Sequence, residues 1–207
     1  MTEVQEQKDL IVLASDQDIS SSLMGLFSRI QAFGIRQLEN DIFVHPEHDP
    51  GCLLRGHDFL RPFVTRYKHA LVIFDREGCG QDHLSREILE NQLEGRLSGS
   101  GWGQRAASIV IDPELEIWVW SSSPHVDSVL GWKNVQPNLR TWLLENGFLN
   151  KDEVKPKKPK KAMRGALRVV SKSVSSARFS ELAQKVSIAN CNDPAFVKLK
   201  VTLKQWF

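Results

Sequence analysis

Cysteine is scarce and scattered. The three residues Cys52, Cys79 and Cys191 lie far apart, and none belongs to a CxxC pair. That pattern argues against a zinc ribbon or a disulfide framework and fits free thiols in a reducing cytoplasm. No apolar run reaches the length of a membrane span. The polar start, Met1 to Asp9, lacks the hydrophobic region of a signal peptide. Together these absences predict a cytoplasmic protein that makes no use of a membrane. Nor is there an excess of one charge: 27 basic residues stand against 25 acidic ones, so no global field draws the chain to nucleic acid. There is no GxxxxGK[ST] loop, no GxGxxG after a strand and no GxSxG elbow. P-loop nucleotide hydrolysis, dinucleotide binding and serine hydrolysis therefore lack support. No internal repeat is found.

What is present is enough apolar residue for a sizeable core, 41% of a 207-residue chain, which suits one α/β domain with an appendage. The most informative stretch is Leu71-Val72-Ile73-Phe74-Asp75-Arg76-Glu77-Gly78. Four apolar residues in succession read as a strand buried on both faces, and the run stops at charge and a glycine. Strands are also expected at 10–14, 42–45 and 106–111, with helices over 19–33, 52–67 and 82–97 between them. Gly34 is expected to terminate the first helix and Pro62 to interrupt the second. Pro46 to Gly51 reads as a turn. Asp112-Pro113-Glu114 signals a helix start, so 114–120 is expected to be helical, although Leu115, Ile117 and Val119 also alternate as a strand would. Beyond Ser121 the pattern is helical throughout. The division expected is an α/β domain with appended helices over 1–150, a charged mobile linker over 151–161, and a helical segment over 162–207. The fold class is α/β, a small parallel-rich sheet flanked by helices with a helical C-terminal extension.

Acidic residues follow three of the expected strands: Asp16 and Asp18, then Asp75 and Glu77, then Asp112, Glu114 and Glu116. In a parallel sheet all would lie on the carboxyl edge, where open α/β sheets bind ligands. Asp75 and Glu77, two apart, would point the same way if the strand continued through Arg76. Hard oxygen donors converging from several strands suit Mg²⁺. The metal-ligand candidates are accordingly Asp75, Glu77, Asp16, Asp18 and Glu114, and the catalytic candidates are Asp75, Glu77 and Glu116, serving phosphoryl transfer. Taken singly, Asp16, Asp18 and Asp112 read better as helix caps. His45, Glu47, His48 and Asp49 could supply a metal site or a base, but read more simply as a polar loop. Cys79 sits beside carboxylates that would raise its pKa, which argues against a thiol mechanism. The six tryptophans all lie at or after Trp102, and Trp118, Trp120, Trp132 and Trp142 are expected to pack the helical part, while the lysines at 155–161 either touch phosphates or lie in solvent.

The pairing of Phe74-Asp75-Arg76-Glu77-Gly78 with Asp112-Pro113-Glu114-Leu115-Glu116-Ile117-Trp118 resembles small Toprim-like, RloB-related proteins of bacterial restriction and phage-defence clusters. The blocks Val44 to Cys52, Phe59 to Phe63 and Asp193 to Phe196 look like the small component of the methylation-associated defence system, a likeness that spans nearly the whole chain. Toprim domains carry a Glu after the first strand and an Asp-x-Asp after a later one, which bind Mg²⁺ during strand cleavage. This chain departs at both places, with Ser15-Asp16-Gln17-Asp18 at the first and Asp-x-Glu at the second. The resemblance implies an antiviral-defence protein with other defence-system proteins and DNA or RNA as partners, and a Mg²⁺-dependent nuclease activity. In it Asp75 and Glu77 would bind metal, Glu116 would complete the shell or orient water, and Asp16 or Asp18 would replace the usual Glu. The alternative is a non-catalytic adaptor or sensor subunit that uses the same edge for recognition.

Overall fold

A computed structural model describes residues 6–121, 123–188 and 191–207. Four strands, β1 (Lys8–Ala14), β2 (Asn40–Val44), β3 (Tyr67–Asp75) and β4 (Ala106–Ile111), form one sheet in the order β2-β1-β3-β4. Every pairing is parallel. The continuous apolar runs follow from this, because both faces of a parallel sheet are covered. Leu10, Val12, Ala14, Leu71, Ile73, Ile109 and Ile111 enter one core, and Ile11, Leu13, Val72, Phe74 and Val110 the other.

The first core is closed by α1 (Gln17–Phe27) and by helices of the C-terminal half. The second is closed by α2 (His48–Leu60) and α3 (Arg86–Leu97). α1 carries the chain from β1 to β2 across one face. α2 then returns it past β1 to β3 across the other, and α3 continues to β4. The neighbouring strands β1 and β3 therefore send their connections to opposite faces. In open α/β sheets such a switch point, beyond the carboxyl ends of the two strands, is where ligands bind. The strands put Asp16, Asp75 and Asp112 at this same edge, as expected.

The helical half consists of α4 (Glu116–Val119), α5 (Pro124–Leu130), α6 (Leu139–Glu145), α7 (Pro159–Val169), α8 (Ser176–Lys185) and α9 (Pro194–Trp206). These share the first core with α1 and the sheet, so the C-terminal segment is part of the α/β core. Trp120 and Trp132 are buried packing residues whose N–H groups find acceptors in the helical half, whereas Trp102 lies in the second core with its Nε1 unpartnered among the described residues. Trp120 donates to the carbonyl of Pro159 and Trp132 to that of Ala166, each at 3.1 Å. α8 crosses α1 at Gly25, where a Cβ would stand 2.5 Å from the Ser180 carbonyl oxygen, so only glycine admits this approach.

Several boundaries differ from expectation. α1 stops at Phe27, and Ile30–Phe33 is a separate 3₁₀ turn closed by Gly34 at φ +76. α2 begins at His48, inside the expected turn, and gives way after Leu60 to a 3₁₀ turn containing Pro62. α3 starts at Arg86, capped by Ser85, and α4 is a four-residue helix starting at Glu116. Pro159 to Lys161, expected in the linker, open α7. Lys155 Nζ donates to the Ile117 carbonyl at 2.8 Å, which ties the same stretch down beside α4.

Candidate functional site: an acidic edge with one lysine

Asp75 ends β3 and continues the alternation of Leu71 and Ile73, so it faces the side of α1 and the C-terminal helices. Its residue surface is 5% exposed, and among the described residues its Oδ1 has no hydrogen-bond partner. Burial pushes its carboxyl well above the usual range, and the charges of Asp49, Asp16 and Glu116 push the same way, while Lys160 opposes them. Ser15 Oγ, just beyond the adjacent end of β1, is also buried without a partner among the described residues.

The amino edge of the sheet makes the contrast plain. Buried Asp9 receives Arg36 through two 2.7 Å bonds and Lys68 at 3.0 Å. Chiefly through Arg36, its carboxyl is held well below the usual carboxylate range. Each buried acid is expected to have such partners. Asp75 has none.

Asp16 is the N-cap of α1, its Oδ1 accepting from the Ile19 N–H at 2.8 Å, and it still acts electrostatically on Asp75. Capping and site membership are thus compatible. Asp18 accepts from Ser176 Oγ, which ties α8 to the start of α1, and its charge reaches Glu116. Glu116 opens α4 and is 3% exposed. Burial raises its pKa to about 7, with Glu114 and Asp18 adding to the rise and Lys160 resisting it. Glu114 accepts from the Lys160 backbone N–H at 2.9 Å and faces its Nζ at 3.5 Å. Burial works against the Lys160 charge, but Glu116, Glu114 and Asp75 carry its pKa upward overall.

Glu77 does not join them. The strand ends at Asp75, the Arg76 N–H makes the last ladder bond to the Ile111 carbonyl, the Glu77 N–H turns to the carbonyl of Pro113, and Glu77 is exposed. Asp112 is spent on Arg76 at 2.8 Å. Cys79 is buried, and burial raises its thiol pKa, in keeping with no role for a thiolate.

Of the cluster at 45–49, Asp49 reaches the edge, its Oδ1 accepting from the Asp75 backbone N–H at 2.9 Å. His48 makes this approach with φ +53, and its Nδ1 lies 3.2 Å from the Ser15 carbonyl. The first turn of α2 therefore rests on the end of β1. His45 is a packing residue: its Nδ1 accepts from the Glu47 N–H at 3.0 Å, and burial lowers its pKa. A Cβ on Gly51 would stand 2.2 Å from that ring nitrogen, so the glycine makes room for the imidazole.

Asp49 and Lys160 are thus the two members that sequence reasoning did not select. Asp49 sat in an apparent turn, and Lys160 was one lysine of a run that read as linker. The resulting edge gathers Asp16, Asp49, Asp75 and Glu116, flanked by Asp18 and Glu114, around a single lysine. Among the described residues no three His, Cys, Asp or Glu side chains are grouped to hold a metal ion. Mg²⁺ needs only one or two carboxylates and fills its shell with water, so oxygen donors with an unpartnered Asp75 among them suit it in kind. Compared with protein-family models, curated proteins and solved structures, the chain matches none.

Proposed function

We propose that this chain is a Toprim-like component of a bacterial anti-phage defence system, cytoplasmic, that cleaves DNA or RNA with Mg²⁺ at the acidic edge. The observation that carries this reading is the buried carboxyl of Asp75 at the carboxyl end of β3, its Oδ1 unpartnered among the described residues and acids of like charge acting on it. Such a group is stable only protonated or beside a cation. Asp75, with Asp16 or Glu116, would hold the ion. When bound, Mg²⁺ would offset the charge of a phosphodiester and favour attack by water. Lys160, on the first turn of α7, would contact a phosphate oxygen and orient the substrate. Glu116, with a pKa of about 7, is suited to accept or donate a proton near neutral pH. Asp49 would fix the backbone of Asp75 from the opposite face.

A second reading, a non-catalytic adaptor binding other defence-system proteins or nucleic acid, has one observation in its favour. Lys160 already brings a positive charge to the acids, so the edge has a partial counter-charge without metal. Incubation of single- and double-stranded DNA and RNA with wild type and Asp75→Asn, in Mg²⁺, Mn²⁺ or chelator, separates the two. The nuclease predicts metal-dependent cleavage that Asp75→Asn abolishes. Absence of cleavage of all four substrates in both metals would favour the adaptor.

A further inference from the structure

A cavity of about 790 Å³ opens among α1, α4, α8 and the start of α9. None of the acidic residues of the sheet edge lines it, so it is separate from the site above. Cores pack with few voids larger than a water molecule, and a space this size falls in the range of small-molecule pockets, roughly 300–1,000 Å³. Its walls are mainly apolar, with Leu115, Trp118, Phe179, Leu182 and Phe196 among them.

The polar groups in those walls are mostly engaged. Asp193 Oδ1 accepts from Trp118 Nε1 at 2.8 Å and from the N–H groups of Ala195 and Phe196 at the start of α9. Lys155 Nζ is held by the Ile117 carbonyl. Arg29 differs. One terminal nitrogen donates to the Val186 carbonyl, its Nε is sealed inside the fold, and its other terminal nitrogen makes no hydrogen bond among the described residues. An arginine keeps its charge at any ordinary pH, so burial leaves a cationic donor in want of an acceptor. Arg29 and Lys155 also outnumber Asp193 among the charged wall residues, so the cavity favours a negative guest.

We propose that this cavity binds a small amphipathic acid, its apolar body against Leu115, Trp118, Phe179, Leu182 and Phe196 and its carboxylate on Arg29. An uncharged molecule of the same shape would bury the same apolar surface but leave the Arg29 guanidinium without a counter-charge. Discrimination between the two therefore reports the arginine.

The test is calorimetric titration of the full chain with decanoate and with decanol. Saturable binding of decanoate at one site is expected, with decanol weaker by about tenfold or more, the loss of one charge-assisted hydrogen bond. Arg29→Met should reduce decanoate to the affinity of decanol, and Leu182→Trp, which fills the cavity, should abolish both. If Arg29→Met fails to fold, as its circular dichroism would reveal, the decanoate–decanol ratio and Leu182→Trp decide alone. Failure of decanoate to saturate, equal affinity for the alcohol, or unaltered binding in Leu182→Trp overturns the proposal.

Discussion

Asp49 accepts a hydrogen bond from the backbone N–H of Asp75 at 2.9 Å, and its charge also helps push the Asp75 carboxyl upward. One side chain thus orders the end of β3 and adds to the electrostatic load there. The two effects can be separated by substitution. Asp49→Asn keeps an oxygen acceptor and removes the charge, so the metal-free protein should unfold in urea at the same or a higher midpoint than wild type. Asp49→Ala removes the acceptor as well and should cost about 1–3 kcal/mol. An Asn variant less stable than the Ala variant would contradict this account.

Glu116 should make stability fall with rising pH. Its pKa in the folded chain, about 7, lies above the ordinary 4.5, so the folded state binds this proton more tightly than the unfolded state does. The associated stability is complete below pH 4.5 and is lost as pH rises through 7. At about 1.4 kcal/mol per pH unit, a rise from 4.5 to about 7 sets a ceiling of about 3 kcal/mol. Urea midpoints of Glu116→Gln should show a weaker decline than wild type between pH 4.5 and 8. A parallel decline in both would place the titration elsewhere.

Lys160→Met should remove the cation that opposes the rise in both Asp75 and Glu116. The variant should lose more stability at pH 8, where the neighbouring acids tend to ionise, than at pH 5. It should also lose cleavage near pH 7, with circular dichroism showing that the variant tested is folded. Thermal melts at the two pH values check the first statement, and an equal loss at both would show that Lys160 acts through packing of its stem.

Gly25→Ala tests the attachment of the C-terminal helices. Its Cβ would meet a backbone oxygen of α8 at 2.5 Å, so one helix must move. A destabilisation of about 1–3 kcal/mol is expected, the range for overpacking. Alanine ordinarily favours a helix over glycine by about 1 kcal/mol, so an increase in stability would mean that α8 does not lie where described.

Much of the frame could be read from period and punctuation. Runs such as 71–74 and 106–111 are too apolar to be anything but doubly covered strands, and parallel order followed from the helices between them. The acids after those strands reached one edge because chain direction alone puts them there. What escaped depended on three-dimensional placement. Glu77 was expected beside Asp75 on the assumption that the strand ran on, but the ladder ends with the Arg76 N–H on Ile111, and the Glu77 N–H turns to Pro113. Asp49 reaches the site because His48 adopts a left-handed conformation in what reads as a proline-bounded turn. Lys160 looks the same in sequence as Lys157, Lys158 and Lys161, and its contact with Glu114 is set by where α7 docks. No local pattern encodes such a contact.

The central claim is that the Asp75 edge takes a divalent cation, and the most direct measurement is the thermal melt of wild type and Asp75→Asn with and without Mg²⁺. Binding to the folded state alone stabilises it by mass action, about 2.7 kcal/mol with metal at a hundred times its dissociation constant. Wild type should therefore melt higher in Mg²⁺. Asp75→Asn, relieved of a buried charge, should melt at or above metal-free wild type and take no further gain from the ion. An identical wild-type melt with and without saturating Mg²⁺, or an equal gain in Asp75→Asn, would contradict the claim.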